Sequence, residues 1–419
     1  MRADRRAFLG MAATAGLIGL RPSLLSAQAA EKFPPPKGSR PGSLPPPISQ
    51  AEHLQRIAKA QQLMRAAGLK ALLVEAGSSL VYFTGVQWWR SERLTAALLP
   101  AEGQPVLVTP AFEEPSVREN LQVPADVRVW NEHESPFAVL ADWLKAHGSG
   151  KGPVGVEDTT RFFAFEGLRA LGVDTRADAN VVRSCRVIKS TAEIALMQAA
   201  SDITIAAYRE TAPQIVRGMT PADIAKIMSG AMAKRGATPG FTLVLLGEAS
   251  AYPHGTGKPQ EVRPGEIVLL DCGCSVEGYQ SDISRTMVMG EPTQQQRSVW
   301  DLVRRGQQIA FETAKVGTPA GAIDDAVRAA YEKSGYGPGY KLPGTPHRTG
   351  HGIGMDGHEP VNLVHGEATP LAPGMCFSDE PGIYIPGSFG VRLEDCIYMT
   401  QNGPKWFSVP PPSIDKPFG

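Results

Sequence analysis

Residues 267–286 read IVLLDCGCSVEGYQSDISRT, and this stretch decides the fold. The apolar run 267–270 ends at Asp271, a turn follows through Glu277-Gly278, and Asp282 comes next. This pattern predicts two antiparallel strands that place the two aspartates side by side. Either aspartate alone would suit a turn or a helix cap. A carboxylate at the end of an apolar strand is costly unless it is paired or metal-bound, so we interpret the pair as metal ligands.

A second informative stretch, residues 347–358, holds three of the chain's eight histidines. These are His347, His351 and His358, and glycines lie between them. The spacing is not His-Glu-x-x-His, which excludes the helix of the common zinc proteases. Glycine here allows the backbone to approach a ligand closely.

Two glutamates near the C-terminal end complete the candidate site. Glu380 lies between an apolar run and the turn residues Pro381-Gly382, and residues 390–395 alternate as on a strand. A strand would place Arg392 and Glu394 on one face, and the arginine would then lower the pKa of Glu394 and keep it ionised. Four carboxylates and one imidazole suit two divalent cations held side by side, which predicts a hydrolase. The five predicted ligands are Asp271, Asp282, His351, Glu380 and Glu394.

Upstream of this site, residues 51–184 alternate helix and strand signals and predict an α/β N-terminal domain. Gly68 is well placed to end the first helix. The predicted helices cover residues 54–64, 137–147 and 162–171. The predicted strands cover residues 69–74, 80–83, 94–99, 106–108 and 154–156.

Residues 185–419 form the second predicted domain. Capping boxes at Ser190 and Thr293 and the pair Thr220-Pro221 mark three helix starts. The predicted strands cover residues 242–246, 267–270, 284–289, 375–377 and 390–399. Helices and strands come in two successive groups, which predicts an α+β domain of two similar halves with helices on one side of a sheet.

The N-terminus of the 419-residue chain is interpreted as a targeting signal. Arg5-Arg6 is a twin-arginine pattern, the apolar stretch 9–20 is too short to span a bilayer, and Ala27-Gln28-Ala29 offers a cleavage site. Residues 1–29 therefore predict twin-arginine export to the periplasm, without stable membrane insertion after the signal is removed. An uncleaved anchor or a chance arginine pair is the alternative. Residues 30–50 predict a proline-rich linker.

The composition bears on two questions: whether the chain binds nucleic acid and whether its cysteines form disulfides. The chain has 42 basic and 42 acidic residues, so its composition does not indicate a nucleic-acid surface. Five cysteines form no disulfide framework. Cys272 and Cys274 are interpreted as small buried residues, with a metal-thiolate role as the alternative.

These motifs resemble those of the creatinase / methionine aminopeptidase superfamily, the "pita-bread" metallopeptidases. The chain looks most like the two-domain branch of Xaa-Pro aminopeptidase (aminopeptidase P) and Xaa-Pro dipeptidase (prolidase), over roughly residues 50–400. The resemblance is densest in residues 186–190, 253–255, 271–286, 350–359, 380–384 and 390–395. It implies an α+β pita-bread catalytic domain of two pseudo-symmetric halves, preceded by a creatinase-like α/β N-terminal domain.

The resemblance also implies roles for individual residues. Asp282 and Glu394 would bridge two divalent metal ions, Asp271 would complete one site, and His351 with Glu380 would complete the other. Manganese is the expected metal because the ligands are mostly carboxylates, with zinc or cobalt as alternatives. Glu380 is also a candidate general base. The implied substrate-side and supporting residues are His254, His347, His358, Tyr384 and Arg392. Ala251 departs from the asparagine that is usual in the segment before His254, so the resemblance does not extend to this position.

The implied activity is hydrolysis of the peptide bond before proline in a small peptide, with a homodimer or higher homo-oligomer and the twin-arginine export machinery as partners. Three alternatives remain open. The first is a metal-free amidine hydrolase like creatinase, against which the five ligand residues argue. The second is a non-peptide metallohydrolase or lyase on the same fold, such as a dimethylsulfoniopropionate lyase. The third is a degenerate binding module.

Overall fold

The computed structural model describes residues 44–147 and 152–418. The predicted signal peptide and residues 30–43 of the predicted linker lie outside these ranges, while residues 44–49 run without regular structure into the first helix. Within the described ranges, every helix is too short or too polar to cross a membrane.

The N-terminal domain is a six-stranded mixed sheet with helices on both faces. The strand order is β4-β3-β2-β1-β5-β6. Strand β2 pairs antiparallel with both β1 and β3. The pairs β3-β4, β1-β5 and β5-β6 are parallel. The elements are α1 (Gln50–Ala66), β1 (Ala71–Glu75), α2 (Ser78–Thr84), β2 (Ala96–Pro100), β3 (Val106–Pro110), α3 (Glu114–Asn120), β4 (Asp126–Trp130), α4 (Pro136–Ala146), β5 (Val154–Val156), α5 (Phe162–Arg169), β6 (Thr175–Ala177) and α6 (Val181–Arg186).

Burial on both faces explains the apolar central strands. Every residue of β1 is buried, and its side chains alternate between two cores, with Leu72 in the core that also contains α1 and Leu73 in the core beneath α4. A strand covered on both faces reads as a continuous apolar run, as this one does. Helix α6 crosses the boundary predicted at residue 184 and leads into the second domain.

The strand predicted at residues 80–83 is wrong, because this segment lies within helix α2. Gly77 and Gly85 flank the helix, and both adopt a positive φ. The run places Leu80 and Phe83 against the same core as α1, which a helix does as well as a strand. Periodicity does not separate the two structures in a run this short.

The second domain consists of two halves, each with a pair of helices, and the first half has one sheet whereas the second has a five-stranded and a two-stranded sheet. The first half contains α7 (Thr191–Thr211), α8 (Pro221–Ala233), β7 (Thr238–Leu246), β8 (Ile267–Val276), β9 (Tyr279–Gln280) and β10 (Ile283–Val288). The second half contains α9 (Gln294–Thr313), α10 (Gly321–Lys333), β11 (Gly350–Gly352), β12 (Glu359–Leu363), β13 (Cys376–Asp379), β14 (Gly382–Ile385), β15 (Phe389–Arg392), β16 (Asp395–Thr400) and β17 (Gly403–Trp406). The predicted capping boxes at Ser190 and Thr293 are present. This layout agrees with the predicted α+β domain.

The strand predicted over residues 390–399 is wrong in its continuity. β15 ends at Arg392 and pairs with β14, whereas β16 begins at Asp395 and pairs with β13 and β17. Between them, the backbone of Glu394 exchanges hydrogen bonds with the backbone of Ser284 in β10 (N–O distances of 3.1 and 3.3 Å). The chain therefore changes partners at Glu394, and this residue joins the two halves of the domain.

Candidate metal centre

The two halves bring the five predicted ligands to one place. Asp271 lies within β8, opposite Ser284 of β10, and Asp282 immediately precedes β10. From the second half, His351 lies within β11 and Glu380 immediately follows β13. Glu394 occupies the link between β15 and β16.

Their ligand atoms converge in overlapping groups, within each of which the atoms lie within 4.8 Å of one another. One group is Asp271, Asp282 and Glu394, and a second is His351, Glu380 and Glu394. A third joins Asp282 and His351 to His358, which the sequence assigned to the substrate side. The three groups share members, so they describe one continuous site rather than separate pockets.

Orphaned buried oxygens show that this site suits cations. Oδ1 of Asp271 and Oε1 of Glu394 are buried and have no hydrogen-bond partner among the described residues. Buried polar atoms normally have a partner, and an unpaired carboxylate oxygen is costly. Hard oxygen donors with a single imidazole are ligands that divalent cations prefer. The residues present therefore fit a divalent metal centre.

The raised pKa values of three of the carboxylates also indicate a cation site. Burial, followed by the charges of Asp271 and Glu380, raises the pKa of Asp282 well above its ordinary value. Burial, followed by the charges of Asp282 and Glu380, does the same for Glu394. Burial raises the pKa of Glu380 to about 7, against the opposing charge of Arg392. Acids that repel one another in a buried site gain most from a positive ion placed between them.

The imidazole of His351 is held with one nitrogen facing these acids. Its Nδ1 lies 3.1 Å from the backbone carbonyl oxygen of Gly352, while Nε2 lies 3.3 Å from Oε1 of Glu380 and 3.7 Å from Oδ2 of Asp282. Burial, together with the charge of His358, lowers the pKa of His351 to about 3. A neutral ring fixed at Nδ1 leaves Nε2 free as a metal ligand.

The predicted pairing of Arg392 with Glu394 is wrong. The guanidinium Nη2 lies 2.6 Å from Oδ2 of Asp271, because β15 ends at Arg392 and Glu394 no longer follows the strand alternation. The pKa of Glu394 is accordingly raised by burial rather than lowered by a paired arginine.

The other predicted site residues form a chain of contacts beside the acids. Nη1 of Arg392 donates to Oη of Tyr384 at 2.9 Å, and that oxygen lies 2.8 Å from Nε2 of His347. Burial, together with the charge of Arg392, lowers the pKa of His347 to about 3. His254 is exposed, and its neighbour Pro253 accepts a hydrogen bond from Nη1 of Arg392. His358 is exposed, and its ring lies edge-on to His351 with centroids 4.2 Å apart.

Sequence reasoning missed the serine that supports Glu394. Oγ of Ser284 donates to Oε2 of Glu394 at 2.8 Å and accepts from Nε of Arg392 at 3.0 Å. Ser284 lies two residues after Asp282, so the strand alternation applied to the aspartates was the signal that would have identified it. Cys272 and Cys274 are buried as predicted, and neither belongs to a ligand group found among the described residues.

Known proteins share both domains and their order. The pattern of the Creatinase/Prolidase N-terminal domain matches residues 56–188, and that of Metallopeptidase family M24 matches residues 195–401. The probable dipeptidase PepE of Mycobacterium tuberculosis is 33% identical, over 84% of this chain and 93% of the relative. The Xaa-Pro dipeptidase of Lactobacillus helveticus is also 33% identical, over 84% of this chain and 95% of the relative. The crystal structure of dipeptidase PepE from Mycobacterium ulcerans superposes with a TM-score of 0.79 at 31% identity, over 87% of this chain and 98% of that one. The predicted pita-bread domain and creatinase-like N-terminal domain are thereby confirmed.

Proposed function

The chain belongs to metallopeptidase family M24, and from this premise we propose that it hydrolyses the peptide bond before proline in small peptides, using two divalent cations. One observation carries the proposal: four carboxylates and one imidazole, contributed by both halves of the domain, converge within reach of common ions. The relative from Lactobacillus helveticus, named as an Xaa-Pro dipeptidase, supports the choice of substrate.

The ligand geometry divides into two positions, and the two bridging ligands, Asp282 and Glu394, would be shared between them. Asp271 with Asp282 would hold one cation, and His351 with Glu380 would hold the other. When bound, such cations polarise the scissile carbonyl and lower the pKa of a water molecule toward neutrality.

Among the carboxylates, Glu380 is best placed to act as general base. Its side chain is 15% exposed, whereas that of Asp282 is 7% exposed and Glu394 as a whole is 1% exposed. Asp271 is as open as Glu380, but its Oδ2 is occupied by the guanidinium of Arg392. Glu380 can therefore reach an attacking water and take up its proton.

The exposed histidines serve the leaving group. The nitrogen of an Xaa-Pro bond carries no hydrogen, so it departs only after it receives a proton. His358 is exposed beside the acids and can deliver or relay that proton, and the exposed His254 is the second candidate. His347 is a supporting residue, because its Nδ1 lies 2.7 Å from the carbonyl oxygen of Arg348 and its Nε2 lies 2.8 Å from the hydroxyl of Tyr384, which Arg392 also contacts.

A panel of peptides tests the proposal. The purified protein, with added manganese, is assayed on Xaa-Pro dipeptides, on longer Xaa-Pro-Yaa peptides and on matched peptides with alanine in place of proline. The proposal expects proline-dependent hydrolysis that a chelator abolishes and manganese restores. Preference for dipeptides identifies a dipeptidase, and preference for longer peptides an aminopeptidase. Hydrolysis that survives complete metal removal, or that ignores proline, would reject it.

We also propose manganese as the native ion, because the predicted ligands include four hard carboxylates and one imidazole. The measurement is the metal content of protein purified without added metal. A preparation that contains zinc alone, and is inhibited when manganese replaces it, contradicts this choice.

Export through the twin-arginine pathway and assembly into a homodimer or higher homo-oligomer complete the proposal. The sequence of residues 1–29 supports the first, and the family resemblance supports the second. Replacing Arg5 and Arg6 with lysine should retain the protein in the cytoplasm, whereas unchanged export would refute the signal. Light scattering on the protein without residues 1–29 measures the assembly state, and a monomer would refute the oligomer.

A further inference from the structure

A cavity of about 110 Å³ lies between the N-terminal domain and the loop that carries His358. A single water requires about 10–15 Å³ of such space, so the cavity is large enough for a side chain. His358 lines the cavity and also belongs to the ligand group with Asp282 and His351. The cavity therefore adjoins the metal centre.

The ionic groups on the catalytic side of the cavity are already paired. Nη2 of Arg186 lies 2.7 Å from Oδ2 of Asp356 and 2.6 Å from Oε1 of Glu359. The other oxygen of Glu359 lies 2.8 Å from Nζ of Lys189. These four side chains satisfy one another and leave no charge for a ligand.

Arg183 is the second cation that lines the cavity, and its charge also acts on an acid outside the cavity. Glu367 does not line the cavity. A hydrogen bond from Thr369 and, among further causes, the charge of Arg183 lower the pKa of Glu367. Arg183 is one cation beside three acids of the N-terminal domain, Glu157, Asp158 and Asp178, and this part of the lining is therefore net negative.

The acids of the N-terminal domain that line the cavity are not balanced in this way. Glu157 is 8% exposed, its Oε1 accepts a hydrogen bond from Thr159 at 2.7 Å, and its buried Oε2 has no partner among the described residues. The exposed Asp158 follows it in the chain. Asp178 accepts two backbone N–H groups near the start of α6, and burial, together with the charge of Asp158, raises its pKa. An orphaned carboxylate oxygen among acids is satisfied by a cationic hydrogen-bond donor.

We propose that this cavity receives the side chain of a basic first residue of the substrate, whose ammonium or guanidinium group is bound by Glu157 with Asp158 beside it. The inference rests on the proposed function, because it requires a peptide bound at the metal centre. His358 lies between that centre and the cavity, since it belongs to a ligand group and also lines the cavity. Lysine and arginine carry a cationic hydrogen-bond donor at the end of a long side chain, which is the chemistry that the orphaned oxygen of Glu157 lacks. The site makes the enzyme selective for Lys-Pro and Arg-Pro over uncharged peptides of the same length.

The test compares lysyl-proline with norleucyl-proline, which has a side chain of similar length but no charge. In the wild-type protein at low salt, kcat/KM for lysyl-proline should exceed that for norleucyl-proline, and added salt should reduce the ratio. The substitution Glu157→Gln should lower this ratio about tenfold, the loss expected for one hydrogen bond to a charged group. The matched control Glu102→Gln removes an exposed carboxylate in the turn between β2 and β3 and should leave both rates unchanged.

The outcomes separate the basic-side-chain site from the proposed function. A wild-type ratio at or below one, or a ratio that Glu157→Gln leaves unaltered, overturns the basic-side-chain site while the proposed function stands. If neither dipeptide is hydrolysed, the same pair is tested as the tripeptides Lys-Pro-Ala and norleucyl-Pro-Ala, and hydrolysis of none of the four overturns the proposed function and the inference with it. If Glu157→Gln fails to fold, the exposed Asp158→Asn and the salt dependence of the wild-type ratio still decide the question.

Discussion

Replacing Glu380 with glutamine should stabilise the metal-free protein while it abolishes activity. Burial, against the charge of Arg392 and with a smaller contribution from the charge of Asp271, raises the pKa of this carboxyl from an ordinary 4.5 to about 7. The folded protein therefore binds this proton more tightly than the unfolded chain does. Without metal, the resulting stability is present in full below pH 4.5 and is lost as the pH rises through about 7.

The magnitude follows from the same pKa. Each pKa unit corresponds to 1.36 kcal/mol, so ionising Glu380 at pH 8 costs the folded protein about 3 kcal/mol. Glutamine has the same shape and never ionises. In a chelator, Glu380→Gln should raise the free energy of unfolding by about 1–3 kcal/mol at pH 8, with the gain falling to roughly a quarter of that value at pH 5.

Urea denaturation of both proteins, with chelator at pH 5 and at pH 8, measures this difference. Manganese should stabilise the wild type strongly at pH 8 and the variant much less, because one ligand is lost. The exposed Glu102→Gln serves as the control and should show neither effect. A variant that is less stable than wild type at pH 8 in chelator would refute the view that these acids repel one another and require a cation.

Three further substitutions test the surroundings of the site. Ser284→Ala removes the hydroxyl that donates to Glu394 and should weaken manganese binding about 10–100-fold by calorimetry, with the circular dichroism spectrum unchanged; full affinity would show that the contact does not orient the ligand. Nη2 of Arg285 lies 2.7 Å from Oδ1 of Asp395, and both side chains are fully buried. Arg285→Met removes this ion pair and should lower the free energy of unfolding, measured in urea, by about 3–5 kcal/mol, whereas a loss below about 1 kcal/mol would contradict a stabilising role for the pair. Tyr384→Phe breaks the link between the neighbouring imidazole and guanidinium, and should lower kcat at least about tenfold while metal content stays the same; an unaltered kcat would remove this tyrosine from the mechanism.

Much of the candidate site could be predicted because its acids carry local signals. Asp271 and Asp282 flank a turn whose two residues, Glu277 and Gly278, both adopt a positive φ. The turn fixes the two strands, and the apolar strand makes an aspartate at that position conspicuous. His351 was identified by the cluster of histidines and glycines around it. In each case, the informative residues lie within about a dozen positions of one another.

The rest depended on contacts between distant segments. The partner of Arg392 is Asp271, far upstream, and the alternation of residues 390–395 indicated Glu394 instead. That alternation fails where Glu394 leaves its strand to bond with Ser284 of the other half of the domain. Helix α2 was missed for a related reason, since a short apolar run buried against a core has no period that separates helix from strand.

The most direct test of the central claim is a crystal structure of the protein grown with manganese, with anomalous scattering recorded to locate the metal. The account predicts two anomalous peaks about 3.5–4 Å apart. Both peaks should be bound by Asp271, Asp282, His351, Glu380 and Glu394, with Asp282 and Glu394 shared between them. A single peak, or peaks bound by other residues while these carboxylates bind none, would contradict it.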